Sequence, residues 1–442
     1  MKNEQQYPID VKIGVKPVVI VPEVIPRKLG EQPVSRQQTQ RRGDEAAKEL
    51  RQKLTAEARV LNPAVIESRK DLEGLKADLQ ETDVYWVLGA GRGRAMHILE
   101  LARRYLKPLI GGGGVGLPPF LRSRNLEAYV SLDNELISLM KVRKAIEQTK
   151  GLVVASRRIP SCLSSAWDLE EIETRLKMGF EFVSDEMFFD EMNQVNQEEA
   201  QELADELISG AEEVHFDRKY ITKSTSMYLA AKSLMDEYGC NALAVRCCEH
   251  PFLDLEIEHE TTPCLALVLM NDQGLPASCQ GDISALITTM MLIYTSKKSV
   301  FIGNIGIPSQ EENLISINHS VPGLKMDGIK EPRLPYSLYS FGVVDWGTAV
   351  YVDMMKGKEK EVTVARVDPL VKKLLVTKGE VIKSFPVEKH CKQMTHIKVP
   401  DAAGFLHRAY TDYGAHVTAV YGDYTHELRK LADLINIEVE FI

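Results

Sequence analysis

The 442-residue chain contains no Cys-x-x-Cys pair, and its seven cysteines are odd in number with Cys247 and Cys248 adjacent. That pattern excludes a disulfide framework and a finger-type structural zinc site. No segment approaches the roughly 20 apolar residues of a membrane span, and the opening MKNEQQYPID lacks the apolar core of a secretory signal. The expected location is therefore cytoplasmic, without a membrane partner. An excess of positive charge is also missing: 54 Lys and Arg stand against 63 Asp and Glu, a net charge of −9. This argues against a nucleic-acid or anionic-membrane surface. There is no internal repeat at solenoid periods. What is present is a globular composition, 44% hydrophobic and 26% charged, with length for two or three domains. Small-molecule chemistry is the default.

One stretch organises the rest, PCLALVLMNDQGLPASCQGDISALITT from Pro263 to Thr289. The apolar run Cys264 to Met270 reads as a buried strand, because Asn271-Asp272-Gln273-Gly274 after it is strong turn chemistry. After Gly281, residues Ile283, Leu286, Ile287, Met290 and Met291 recur at helical spacing. Asp282 thus falls at a helix N-terminus, where backbone amides and the dipole favour a carboxylate. It is either a cap or a functional group. Polar and soft side chains crowd the same region, namely Cys247, Cys248, Glu249, His250, Glu256, Glu258, His259, Glu260, Cys264, Cys279 and Gln280.

Around this stretch, strands such as Val18 to Val21 and Asp83 to Leu88 alternate with helices such as Ala95 to Tyr105. A second alternating series starts at Leu152 and ends with a strand at Ser299 to Gly303. Alternation of this kind implies parallel sheets. From Tyr336 onward short β runs follow one another, separated by Gly342, Gly347, Gly357 and Gly379, as in an antiparallel barrel or sandwich. The expected architecture is α/β, with two doubly wound parallel-sheet domains (1–150 and 151–305). A C-terminal antiparallel β-barrel-like domain (306–442) with a closing helix follows. The polar segment Gly30 to Arg42 reads as disordered, as a connector, or as an arm ordered by an oligomer partner. Two glycine stretches do not form phosphate loops: Gly89 to Gly93 lacks the third glycine of GxGxxG because Arg94 stands there, and Gly111 to Gly116 is followed by Leu117-Pro118-Pro119. A nucleotide-dependent enzyme is correspondingly disfavoured.

Two α/β units followed by a β domain resemble the L-fucose isomerase and L-arabinose isomerase superfamily, and three segments carry the likeness. LMNDQGLPASCQGDISAL is similar to the segment where L-fucose isomerases carry an acidic-x-Asp triplet; Asp282 falls on its metal-binding Asp. GAHVTAVYGDYTHELRKLADLINIEV is similar to their C-terminal segment, with His416 on the metal-binding His. SRRIPSCLSSAWDLEEIETRLKMGFEFV is similar to the opening of the middle domain in small bacterial members. The resemblance implies a metal-dependent aldose-ketose isomerase, Mn²⁺ or another divalent cation as cofactor, an open-chain sugar as substrate, an enediol intermediate, and a homo-oligomer. Such chemistry needs a cation to polarise the carbonyl and hydroxyl, and a carboxylate to move the proton.

The chain departs from that pattern at two places. Gln280 stands where the triplet carries Glu, and Pro263 stands where a second metal-binding Glu precedes the apolar run. A substitute carboxylate is sought among Glu249, Glu256, Glu258 and Glu260. Glu249 is favoured because it directly follows a parallel strand, where such folds place ligands. The expected site is then Asp282 and His416 on the metal, Asp282 and Glu249 in catalysis, and Gln280, His319 and Cys264 lining the sugar. Each has a plainer alternative: His319 bonding a local carbonyl, Cys264 and Cys279 as small buried hydrophobes, His416 as an ordinary strand histidine. The competing function is a non-catalytic sugar-binding or regulatory protein that kept the fold and lost the glutamates.

Overall fold

Five strands of the first 130 residues pair in the order Ala58–Val60, Ile13–Ile20, Val84–Leu88, Leu109–Gly112, Ala128–Tyr129, and Ala64–Ile66 also pairs with Ile13–Ile20. All of these pairings are parallel. Parallel strands need helical crossovers, which cover both faces, so each face buries its own cluster. Val18, Tyr85, Val87 and Leu109 lie on one, and Ile13, Val15, Val84 and Ile110 on the other. The computed structural model describes residues 11–21, 35–88, 94–112, 116–156, 162–166, 168–342, 344–388 and 391–442. Contacts divide the chain into two compact units, Asp10–Lys141 and Val142–Ile442.

The segment expected to be a connector behaves differently where it is described. Arg36 to Arg42 form the first turns of the helix Arg36–Lys53, and Ser35 caps it through a capping box with Gln38. Satisfying two end amides reciprocally is enough to start a helix in a polar sequence. Residues 30–34 lie outside the described residues, as do Gly89 to Gly93 and residues 113–115 of the glycine stretches.

The larger unit holds a second parallel sheet, ordered Ala277–Ser278, Ala242–Val245, Lys150–Val154, Gly179–Val183. Here the structure corrects the sequence reading: Cys264–Asp272 is a helix, not a strand, and all nine of its residues are buried. A short run that is apolar all round has no period to distinguish the two, and only burial on every side decides it. Leu, Ala and Met outnumber the single β-branched Val268 in it, which suits a helix. Of the expected turn only Gln273 and Gly274 lie beyond the helix, and the reversal is pinned by Asn271, whose side chain bonds both the N–H (2.8 Å) and the C=O (3.2 Å) of Ala277.

Six strands then pair antiparallel in sequence around a ring: Phe301–Ser309, Leu314–His319, Gln393–Lys398, Lys373–Pro386, Glu361–Val367 and His416–Tyr421, which returns to Phe301–Ser309. Two expectations change as a result. The Ser299 to Gly303 run is not a last strand of the parallel sheet; it opens this ring and continues through Gly306 and Pro308, with a register shift between Gly306 and Ser309. Gly379 does not separate two strands, because Lys373–Pro386 runs through it. A small mixed sheet joins Thr348–Val352, Tyr336–Ser340 and Glu213–Val214. The architecture is thus α/β, with parallel and mixed sheets.

The helix Ile283–Ser296 ties the parallel sheet to the ring, and its buried hydroxyls make the joint. Thr288 Oγ1 donates to Ser284 O (2.7 Å) and accepts the Val367 N–H (2.9 Å), while Ser284 Oγ donates to Asp368 O (3.3 Å). Thr288→Val keeps the shape but leaves the buried Val367 N–H without an acceptor. We expect it to destabilise the protein by about 1–3 kcal/mol, with Thr288→Ser close to wild type, as measured by urea unfolding.

Candidate functional site

Two strands of the parallel sheet deliver their carboxyl ends to one place: Ala242–Val245 runs into Arg246, Cys247 and Cys248, and Ala277–Ser278 runs into Cys279 and Gln280. Open α/β sheets present ligands at this end of their strands. Gln280 (φ 54°) and Gly281 (φ 57°) are both left-handed, a paired reversal that turns the chain from the strand into the Ile283–Ser296 helix. Asp282 is the N-cap of that helix and is fully buried.

Its carboxylate accepts four hydrogen bonds. Oδ1 takes the Ala285 N–H (3.0 Å) and Arg366 Nη2 (3.1 Å); Oδ2 takes Arg366 Nη1 (2.8 Å) and His416 Nδ1 (3.1 Å). Arg366 has no exposed side-chain surface and directs two further donors at backbone, with Nε to Tyr413 O (3.2 Å) and Nη2 to Ser164 O (2.9 Å). Gly414 must be glycine beside it. Its φ is +123°, and a Cβ there would meet Ser164 Oγ at 2.3 Å and Arg366 Nη2 at 3.0 Å.

The ring supplies the histidines from strands on either side of Phe301–Ser309. Asn304 pairs with His416 on one neighbour and with Asn318, the residue before His319, on the other. Their rings meet edge to face with centroids 5.6 Å apart. His319 Nε2 lies 3.4 Å from Cys279 Sγ. His416 Nε2 and His319 Nδ1 are buried without a hydrogen-bond partner. One donor atom each from Cys279, His319 and His416 lies within 4.8 Å of the others, and the same holds for Cys162, Asp282 and His416. Both sets gather metal-ligating side chains, but in the second both Asp282 oxygens already accept two protein hydrogen bonds each.

Burial alone would raise the Asp282 carboxyl, but the Arg366 guanidinium and His416 hold it well below the usual carboxylate range. Burial also works against charge on His416, yet Asp282 and the Cys162 thiol beside it push it up to about 9. His319 goes the other way, since burial and the neighbouring His416 pull it down to about 3. The two imidazoles are therefore pushed in opposite directions by their surroundings.

The structure brings Asp282, His416 and His319 together and sets Gln280 beside them, its N–H directed at Cys247 Sγ (3.3 Å). Cys264 is the buried first residue of the Cys264–Asp272 helix, its thiol raised by burial. Glu249 instead faces outward at 42% side-chain exposure, paired with Arg246 at 2.8 Å. Of the other carboxylates, Glu258 is exposed and Glu260 pairs with Lys223. Glu256 alone turns inward. It is 2% exposed, with Oε2 accepting the Cys248 N–H (3.1 Å) and Oε1 unpartnered. Burial, with Cys248 beside it, pushes Glu256 up to about 9.

Sequence reasoning missed Arg366 and Cys162. Arg366 did leave a signal, as the one charged residue inside the mostly apolar run VTVARV. A buried arginine requires an acidic partner, and Asp282 is that partner. Cys162 left none, and residues 157–161 and 167 of its segment lie outside the described residues.

No family model matches the chain. It is 25% identical over 319 residues to the sulfoquinovose isomerases of Priestia aryabhattai and of Priestia megaterium, covering 69% of this chain and 67% of each relative. Among solved structures, an ABC transporter solute binding protein from Burkholderia multivorans aligns over 64% of this chain and 93% of its own at 10% identity. Its TM-score of 0.17 is too low to bear on the fold. No helix among the described residues is long and apolar enough to cross a membrane.

Glu256 makes a prediction about pH. Between its ordinary value of 4.5 and about 9, the folded chain keeps a proton that the unfolded chain has released. Its contribution to stability is full below 4.5 and falls as pH rises to about 9, by up to about 1.4 kcal/mol per pH unit. Glu256→Gln removes this dependence. The difference in unfolding free energy between variant and wild type should grow in the variant's favour from pH 5 to pH 9, and a flat difference would contradict the assignment.

Proposed function

We propose that the protein is an aldose-ketose isomerase acting on an open-chain sugar through an enediol, a small relative of the L-fucose isomerases. In this reading it is a cytoplasmic homo-oligomer, and the closed strand ring is its barrel-like C-terminal domain. The observation that carries it is the convergence of Asp282 and His416 across 134 positions of sequence, with His416 Nε2 buried and unpartnered. A plain helix cap has no need of a buried imidazole on its carboxylate. The similarity to two sulfoquinovose isomerases supports the reaction class and suggests sulfonated sugars beside deoxyhexoses and pentoses.

The chain's own groups divide the work as follows. Asp282 fixes the His416 Nδ1 proton and leaves Nε2 turned away from it, so the imidazole is oriented before any substrate arrives. Arg366 balances the carboxylate charge. Proton movement between adjacent sugar carbons falls to a carboxyl from the loop and helix after Ala242–Val245. Glu249 stands at the strand end, while Glu256 is the protonated, inward one suited to donation. The expected Mn²⁺ is a different matter. A hard cation prefers oxygen ligands, and both Asp282 oxygens already accept two protein hydrogen bonds each. These residues do not fit a manganese ion without losing Arg366 or His416.

The test is proton exchange. Incubated in D₂O with divalent cation and L-fucose, L-arabinose or sulfoquinovose, the protein should form the ketose of at least one sugar and place deuterium on that ketose's former aldehyde carbon, which receives a proton as its neighbour loses one. Asp282→Asn should lower that rate by about 10²-fold or more. Saturable sugar binding with neither exchange nor ketose would overturn the isomerase and favour the sugar-binding alternative, for which Gln280 and Pro263 in place of glutamates are the motive.

A further inference from the structure

We propose that Cys279, His319 and His416 form a site for a thiophilic divalent cation, zinc in the first place, with Asp282 outside the coordination shell as the carboxylate that orients His416. The proposal rests on the isomerase reading only for what the cation would do, not for its being bound. Three observations point to it. First, the three donor atoms lie within 4.8 Å of one another and all three residues are buried. Second, the Cys279 Sγ to His319 Nε2 separation of 3.4 Å is close to the about 3.5 Å that two donors adopt on a tetrahedral zinc, given Zn–S near 2.3 Å and Zn–N near 2.0–2.1 Å. Third, His416 Nε2 is buried without a partner, while its Nδ1 is held by Asp282 at 3.1 Å.

The last arrangement is what a metal-binding histidine needs. Its outer nitrogen donates to a carboxylate, which fixes the tautomer and aims the inner nitrogen at the ion. Arg366 explains why Asp282 serves this role without being a ligand, since the guanidinium fills both of its oxygens. The donor set is one thiolate and two imidazoles, which favours zinc over manganese. Three protein ligands leave a fourth tetrahedral position, as catalytic zinc sites do.

The ligands come from well-anchored elements. Cys279 follows a parallel strand, His319 ends one ring strand and His416 begins another. On binding, the Cys279 S–H bond and any His416 Nε2–H bond break, their protons pass to solvent, and Zn–S and Zn–N bonds replace them. Affinity should therefore rise with pH.

The experiment measures metal directly. Protein purified without chelator is analysed for metal content, then stripped and titrated with Zn²⁺ and with Co²⁺, whose spectrum reports thiolate ligation by a sulfur-to-metal charge-transfer band. We expect about one zinc per chain and the charge-transfer band in wild type. Cys279→Ser should lose the band and His319→Gln the stoichiometric zinc, whereas Cys240→Ser, a buried thiol elsewhere, should keep both. Asp282→Asn should keep the band and bind about 10–100-fold more weakly. Circular dichroism checks that each variant is folded, and should one ligand variant fail to fold, the other decides. Manganese in preference to zinc, or a cobalt complex without the thiolate band, would overturn the proposal. Zinc bound as described with no sugar turned over would sink the isomerase reading and leave this site standing. Turnover supported by a metal that Cys279→Ser still holds would do the reverse.

Discussion

A fully buried ion pair, Asp282 with Arg366, is the constraint on which the rest of the site depends. Removing a carboxylate and a guanidinium from water costs several kcal/mol each, and only excellent geometry with every remaining donor satisfied recovers it. The structure meets most of that demand. The guanidinium makes two bonds to the carboxylate and one each to Tyr413 O and Ser164 O. The carboxylate takes the helix amide and His416 besides. A pair this completely bonded is seldom the most stabilising choice for a core, so its presence calls for a function that an apolar pair could not serve. Orienting His416 is the function we propose for it.

The pair also explains how two different sheets form one site. Asp282 belongs to the helix that follows the parallel sheet, and Arg366 and His416 belong to the antiparallel ring. The joint is made by bidentate, directional contacts and by the Thr288 and Ser284 hydroxyls. Such contacts fix register and orientation as hydrophobic burial alone does not. His319 and Cys279 also approach each other between the ring and the parallel sheet.

Much of this was legible in the sequence, for reasons specific to each residue. Asp282 announced itself as a helix cap through Gly281 before it and the periodic apolar residues after it. The final helix Thr425–Leu434 was readable because its amphipathic spacing is unambiguous. The Cys264–Asp272 helix was not, since an element buried on all sides carries no periodicity. Nor could a period-2 pattern show that the Phe301 strand pairs with the ring instead of the parallel sheet, because partner choice is a long-range property. Resemblance pointed to Asp282 and His416 as partners on a metal; the structure has them bonded to each other. Arg366 is the residue that changes the interpretation, and a lone cation in an apolar strand was its only trace.

The central claim is that Asp282, Arg366 and His416 act as one unit, and a double-mutant cycle on Asp282 and Arg366 tests it. Arg366→Met leaves a buried carboxylate without its counter-ion and should destabilise the fold by about 3–5 kcal/mol. Asp282→Asn, which can still cap the helix, should leave the guanidinium in the same difficulty. The double variant should cost less than the sum of the two, by well over the roughly 0.5 kcal/mol within which independent sites add. Additive effects would mean that the two charges do not depend on each other, and the account would fail.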